Sequence, residues 1–204
     1  MANDDAALAL DPKTSALLIM DYQKGILERI GAAAEPLLQR TARVLTTARG
    51  AGLPVIYVVV GFRPGYPEMS PSNAAFNVMK VAGRFLPDDP GVAIHPAVAP
   101  EPGEVTVTKH RVNAFHGTDL DMILRAGRIE TLVLLGVATG GVVLSTLRHA
   151  ADADYRCLVV EDCCADADPE VHACLTGKVF PRQAKVISSE SLIAGLGPDP
   201  QPTP

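Results

Sequence analysis

Three places in this chain combine residue types and surroundings that suit chemistry. Asp21 ends an apolar run, Leu17-Leu18-Ile19-Met20. A carboxyl group there is partly desolvated, which raises its pKa unless a cation stands beside it; the same residue can also simply cap a turn. Lys109 ends a β-branched run, Val105–Thr108. Its side chain is either solvated or carried by its length toward another group. Gly136-Val137-Ala138-Thr139-Gly140-Gly141 is a stretch of small residues between an apolar run and a helical pattern. N–H groups exposed at such a helix start can hold an anion or a developing oxyanion, or the segment is an ordinary tight turn. It is not a phosphate loop, because neither GxxxxGK(S/T) nor GxGxxG occurs in it.

These residues need a scaffold, and the pattern supplies one. Apolar runs too continuous for a one-sided sheet read as buried strands: Ala16–Asp21, Pro54–Val60, Val105–Thr108, Thr131–Leu135, Arg156–Glu161 and Ala184–Ile187. Helical patterns fall between them at Pro36–Ala51, Thr118–Ala126 with Thr118 as N-cap, Gly140–Ala153, Asp168–Lys178, and a short last helix. Gly61–Pro102 is a long Pro- and Gly-rich segment of weak periodicity, and loops of that length inside compact domains tend to be functional. The alternation predicts an α/β fold: a doubly wound, mostly parallel six-stranded sheet flanked by helices, Rossmann-like in its winding. In the common order the first and fourth strands meet at the switch point, where ligands bind beyond the strand C-termini. Asp21 and the Gly136–Gly141 turn fall at that place.

Composition narrows the function classes. A chain of 204 residues fits one domain, 1–204, with a core from about 14 to 194 and frayed termini. Hydrophobic residues at 48% and charged residues at 20% are those of a globular protein. A formal net charge of −5, no basic run and no Trp give nucleic acid and anionic membranes nothing to bind. No run is long enough to span a bilayer, and the Ala-rich, acidic Met1–Leu10 lacks the features of a signal peptide; a cytoplasmic location is expected. The 4 cysteines, Cys157, Cys163, Cys164 and Cys174, show no zinc spacing and are expected to be reduced thiols.

Taken in order, three segments resemble the isochorismatase-like hydrolase superfamily. Leu17-Leu18-Ile19-Met20-Asp21-Tyr22-Gln23 is similar to its opening strand, Val107-Thr108-Lys109-His110-Arg111-Val112-Asn113-Ala114-Phe115 to its lysine segment, and Leu134-Leu135-Gly136-Val137-Ala138-Thr139-Gly140-Gly141-Val142 to its nucleophile turn. The likeness runs from about Ala16 to Ile193. It implies an Asp–Lys–Cys triad in which Asp21 and Lys109 keep two places and Val142 takes the place of the cysteine. A valine cannot attack, so acyl-enzyme chemistry by that route is excluded. The resemblance further implies a non-proline cis peptide between Val137 and Ala138, with the N–H groups of Ala138 and Val142 turned into the crevice. Ser145, about 5 Å further along the helix, and Thr139 are weaker substitutes for the missing nucleophile.

Nicotinamidases of the superfamily carry an Asp/His metal site after the second strand. Here that segment, Gly61-Phe62-Arg63-Pro64-Gly65-Tyr66-Pro67, has neither residue, and the 5 histidines show no paired ligand spacing. No metal and no cofactor are expected. Arg63, Arg84 and Gln23 are candidates to hold a substrate, Arg63 by pairing with a carboxylate. Two functions of different class remain open. One is a nucleophile-free hydrolase of a small metabolite, with Asp21 as acid and Lys109 as its partner, as the resemblance to true isochorismatases implies. The other is a noncatalytic small-molecule-binding or structural homologue. A homo-oligomer, most simply a dimer, is expected, with Leu144, Leu147 and Ala151 as a close-packing face.

Overall fold

The computed structural model describes residues 10–197. The leader reading at the N-terminus and the Pro-rich tail therefore fall almost entirely outside the described residues. The elements, in chain order, are β1 (Ser15–Met20), α1 (Lys24–Leu27), α2 (Ala34–Gly50), β2 (Val55–Val60), α3 (Ala74–Val81), β3 (Val105–Lys109), α4 (Leu120–Ala126), β4 (Thr131–Val137), α5 (Leu144–Asp152), β5 (Arg156–Ala165), α6 (Pro169–Cys174), β6 (Lys185–Ile187) and α7 (Ser189–Leu196). All strand pairings are parallel, in the order β3-β2-β1-β4-β5-β6. This is the doubly wound α/β sheet expected, with β1 and β4 adjacent at its centre.

Every residue of β1, β2 and β4 is buried, as continuous apolar runs require when helices cover both faces. β3 lies at the edge and alternates, with Val105, Thr106 and Thr108 exposed and Val107 and Lys109 buried. On α2, Leu37, Leu38, Thr41, Val44, Leu45 and Ala48 are buried at helical spacing, which is one stripe packed on the sheet. Gly52, at φ 71°, ends that helix in a conformation other residues seldom take. Gly136 answers a close approach instead. A Cβ there would lie 2.9 Å from the Met20 carbonyl oxygen and 3.2 Å from Val142 Cγ1.

Asp168 caps α6 by accepting the Glu170 N–H, with Pro169 at the first helical position. Thr118 accepts the Leu120 N–H at 3.3 Å, just ahead of α4. The long Gly61–Pro102 segment is not structureless: it contains α3 and two single turns, Pro90–Val92 and Pro96–Val98. The expected α5 association face needs correction. Leu147 is fully buried in the chain's own core and Leu144 packs against that core, while Ala151 is half-buried, so the two leucines belong to the chain's own packing. The large apolar side chains that are well exposed include Val78 and Val81 on α3 and Met122 on α4.

Candidate active site

The chain leaves β1 at Asp21, whose N–H still pairs with the Val58 carbonyl at 2.8 Å while its φ swings to 61°. Aspartate tolerates that region better than most residues, and the swing lifts its carboxylate above the strand ends. Lys109 ends β3, two strands away, in register with Val60 of β2. Its side chain crosses the end of β2, and Nζ stands 2.9 Å from Asp21 Oδ2. The two side chains are only 7% and 3% exposed. Asp21 Oδ1 is buried and has no hydrogen-bond partner. Burial raises the Asp21 pKa above its ordinary value, and the charge and hydrogen bond of Lys109 oppose that rise without cancelling it.

Both residues line a cavity of about 370 Å³, at the small end of ligand-site volumes. The β4–α5 turn contributes Val137, Ala138, Gly140, Gly141 and Val142, and the Val137–Ala138 peptide is cis. Within the turn, the Gly140 N–H donates to Asp166 Oδ2 at 2.7 Å, and Asp166 Oδ1 accepts from the Asp168 N–H. Ile26 and Ile30 follow β1, Phe76 and Met79 come from α3, and Val112 and Val171 complete the largely apolar walls. The cavity stays open beside Val142, which is itself buried.

Among the described residues, no cysteine, serine or threonine lines this cavity. Cys157, Cys163 and Cys164 are buried elsewhere and Cys174 is exposed. Burial pushes the Cys157 thiol up to about 11 and the Cys163 thiol to about 12, which is the opposite of thiolate activation. Thr139 is fully buried with its hydroxyl 2.9 Å from His172 Nδ1, and Ser145 offers its carbonyl to Asn113. Neither reaches the cavity.

The three candidate binding residues are placed elsewhere. Gln23 is fully buried; its amide donates to the Val60 and Val92 carbonyls at 2.9 and 2.8 Å and accepts the Val60 N–H at 2.8 Å. It ties β1 to β2, and both of its N–H donors are committed to backbone carbonyls. Arg63 turns outward and pairs with Glu68. Arg84 is held by Glu28, Asp89 and the Gly25 carbonyl. None of the three lines the cavity. Sequence reasoning missed Arg29, which does line it, as well as Asp166. The signal was available: the segment following Asp21 has to overhang the switch-point crevice. Replacing Gln23 by Leu should lower stability by about 2–4 kcal/mol, because buried backbone groups lose their partners, and should leave substrate KM nearly unchanged. Denaturant melts and steady-state kinetics check the two halves separately.

Comparison with known proteins gives this fold a family. Residues 15–191 match the isochorismatase domain model. The chain is 32% identical over 198 residues to the isochorismatase family protein YecD of Escherichia coli O157:H7, covering 93% of this chain and all of that one. It is 34% identical over 184 residues to the ureidoacrylate amidohydrolase RutB of Methylobacterium radiotolerans, covering 80% of this chain and 71% of that one. Among solved structures, an isochorismatase family protein from Burkholderia thailandensis superposes with a TM-score of 0.80 at 29% identity, over 95% of this chain and 100% of that one. A doubly wound sheet with a buried Asp–Lys pair at its switch point thus has a family: the chain belongs to the isochorismatase family. No helix among the described residues is long and apolar enough to cross a membrane.

Proposed function

We propose that this protein is a hydrolase of a small metabolite that works without a nucleophilic side chain, with Asp21 as the general acid and base. The observation that carries the reading is the state of one carboxyl group: Asp21 lines an open cavity, Oδ2 is held by Lys109, and Oδ1 is buried without a partner. By the resemblance the family cysteine falls at Val142, and among the described residues no cysteine, serine or threonine lines the cavity in its place.

Hydrolysis of an enol ether suits such a group. Protonated at Oδ1, Asp21 delivers its proton to the terminal vinylic carbon, and the double-bond electrons form the new C–H bond. The other vinylic carbon becomes an oxocarbenium ion, while Lys109 balances the carboxylate left behind. Water adds to that carbon as the carboxylate takes a proton from it. The resulting hemiketal then collapses to a carbonyl compound and an alcohol. A raised pKa favours the first step, since the acid must be protonated before it can give. Related C–N or C–O hydrolysis, with water activated at the same carboxylate, falls within the same reading; the relatives named ureidoacrylate amidohydrolase lend that variant its support.

The test is a panel of enol ethers, amides and carbamoyl compounds offered to the purified protein and to Asp21→Asn. Turnover of enol ethers that the variant lacks supports the reading. The alternative, a noncatalytic binding protein, draws on the largely apolar cavity walls and predicts binding without turnover. Val142→Cys separates these histories further. A thiolate beside Asp21 competes for Lys109, which balances the carboxylate formed when the proton is delivered, so enol-ether turnover should be unchanged or lower. New amide or ester hydrolysis in Val142→Cys would instead mark a decayed amidase whose remaining parts still work.

The dimer belongs to the same reading, on the ground that closed two-fold assemblies are the commonest. Sedimentation at micromolar concentration should give twice the 21.5 kDa chain mass; a single monomer boundary would count against it.

A further inference from the structure

The charges around the cavity are unequally satisfied. Asp21 and Lys109 hold each other at 2.9 Å. Asp166 receives backbone N–H groups on both oxygens. Arg29 is the fourth charged residue of the lining, and among the described residues it has neither an ion-pair nor a hydrogen-bond partner. Its neighbour Glu28 is not available to it as a sole partner, because Glu28 pairs with Arg84. Arg29 is also exposed while Asp21 and Lys109 are buried. The lining therefore carries the buried Asp21–Lys109 pair, the half-buried Asp166 held by backbone N–H groups, and an exposed cation, Arg29, that has no partner among the described residues. Ile26, Ile30, Phe76, Met79 and Val142 make up an apolar part of the same lining.

We infer that Arg29 is the residue that selects the substrate, and that the substrate is a small monoanion whose carboxylate sits on Arg29 while its reacting group lies against Asp21. The inference rests on the cavity being the substrate site, as proposed above. A guanidinium offers a planar fork that pairs with a carboxylate through two charge-assisted hydrogen bonds. Unlike Arg63 and Arg84, Arg29 need not give up an existing partner to do so. The apolar part of the lining fits a hydrocarbon middle and disfavours a second charge, which would be desolvated there unpaired. A free volume of about 370 Å³ admits a compact acid. The six-residue segment carrying Arg29, Glu28–Ala33, also supplies Ile30, so one short piece of chain contributes both ionic and apolar parts of the lining.

The test separates recognition from chemistry. Saturated ether analogues of the enol-ether panel, each as free acid and as methyl ester, are titrated calorimetrically against wild type, Arg29→Ala, Arg29→Lys and Asp21→Asn. In wild type the acid should bind at least about tenfold more tightly than its ester, the strength of one charge-assisted contact. Arg29→Ala should abolish that preference by weakening the acid and sparing the ester. Arg29→Lys should restore part of it, and Asp21→Asn should keep it. The side chain is exposed and unpaired, so these substitutions should leave the melting temperature in place. Equal affinity of acid and ester in wild type overturns the inference, as does a preference that survives in Arg29→Ala or an equal loss for both ligands. An acid preference that follows Arg29, in a protein that turns over no enol ether, would leave this inference standing and remove the proposed reaction.

Discussion

Asp21→Asn should reduce turnover by about a hundredfold to ten-thousandfold, the span that a positioned acid or base contributes, with substrate affinity little changed. The amide keeps the shape of the carboxyl group and its place against Lys109, but it cannot release a proton at a useful rate. The geometry makes the loss specific. Oδ2 is committed to Lys109 at 2.9 Å, which leaves Oδ1, buried and unpartnered, as the atom that can serve the substrate. Asp166, the other acid lining the cavity among the described residues, is held instead by the Gly140 and Asp168 N–H groups. Stopped assays on wild type and variant, with a binding titration beside them, check both halves. Unchanged turnover in the variant would rule out the acid mechanism whatever the other substitutions do.

Much of this arrangement could be read from the residues, and the failures have local causes. Strands β1, β2 and β4 announce themselves because burial on both faces demands unbroken apolar runs. The switch-point rule then places Asp21 and the Gly136–Gly141 turn together without any coordinate. β5 was expected to stop at Glu161 but runs to Ala165, since the β4–β5 register jumps between Leu134 and Gly136. Within the longer strand, Asp162 is spent on the Ser189 N–H and hydroxyl at the start of α7.

The misses cluster over the cavity. Helix α3 has eight residues and α1 only four, too short for a 3.6-residue period to stand out, yet α3 and the α1 region supply Phe76, Met79, Ile26 and Arg29. Arg63 was a candidate by type, but it lies in the loop beyond β2 and its direction is set by Glu68 five residues on. Gln23 resembles a binding residue in type alone; only the coordinates show that its amide is consumed by the Val60 and Val92 backbone. Side-chain direction and partner choice depend on loops, and loops carry the least periodic signal in the chain.

Lys109→Met should act on stability and on the pH profile at once, with related signs. In wild type the folded-state pKa of Asp21 is raised above 3.8, chiefly by burial, with Lys109 pulling it down. A raised folded pKa means a stability contribution that is full below 3.8 and is lost as pH rises through the folded value. Removing Lys109 takes away both influences that lower this pKa, so the loss extends to higher pH and becomes larger. The variant should then be nearly as stable as wild type in acid, where Asp21 is neutral in both. Well above the folded pKa it should be destabilised by about 3–5 kcal/mol, the usual cost of stranding a buried charge. Activity moves by the same logic. If the working form of Asp21 is the protonated one, kcat/KM falls on the alkaline side as the proton is lost, and in Lys109→Met that fall should begin at higher pH. The plateau rate should meanwhile drop, because nothing balances the carboxylate formed when the proton is delivered. Denaturant melts across pH give the first result and a pH–rate series the second. A lysine that only propped up the fold would change the melts and leave the midpoint of the alkaline limb where it was.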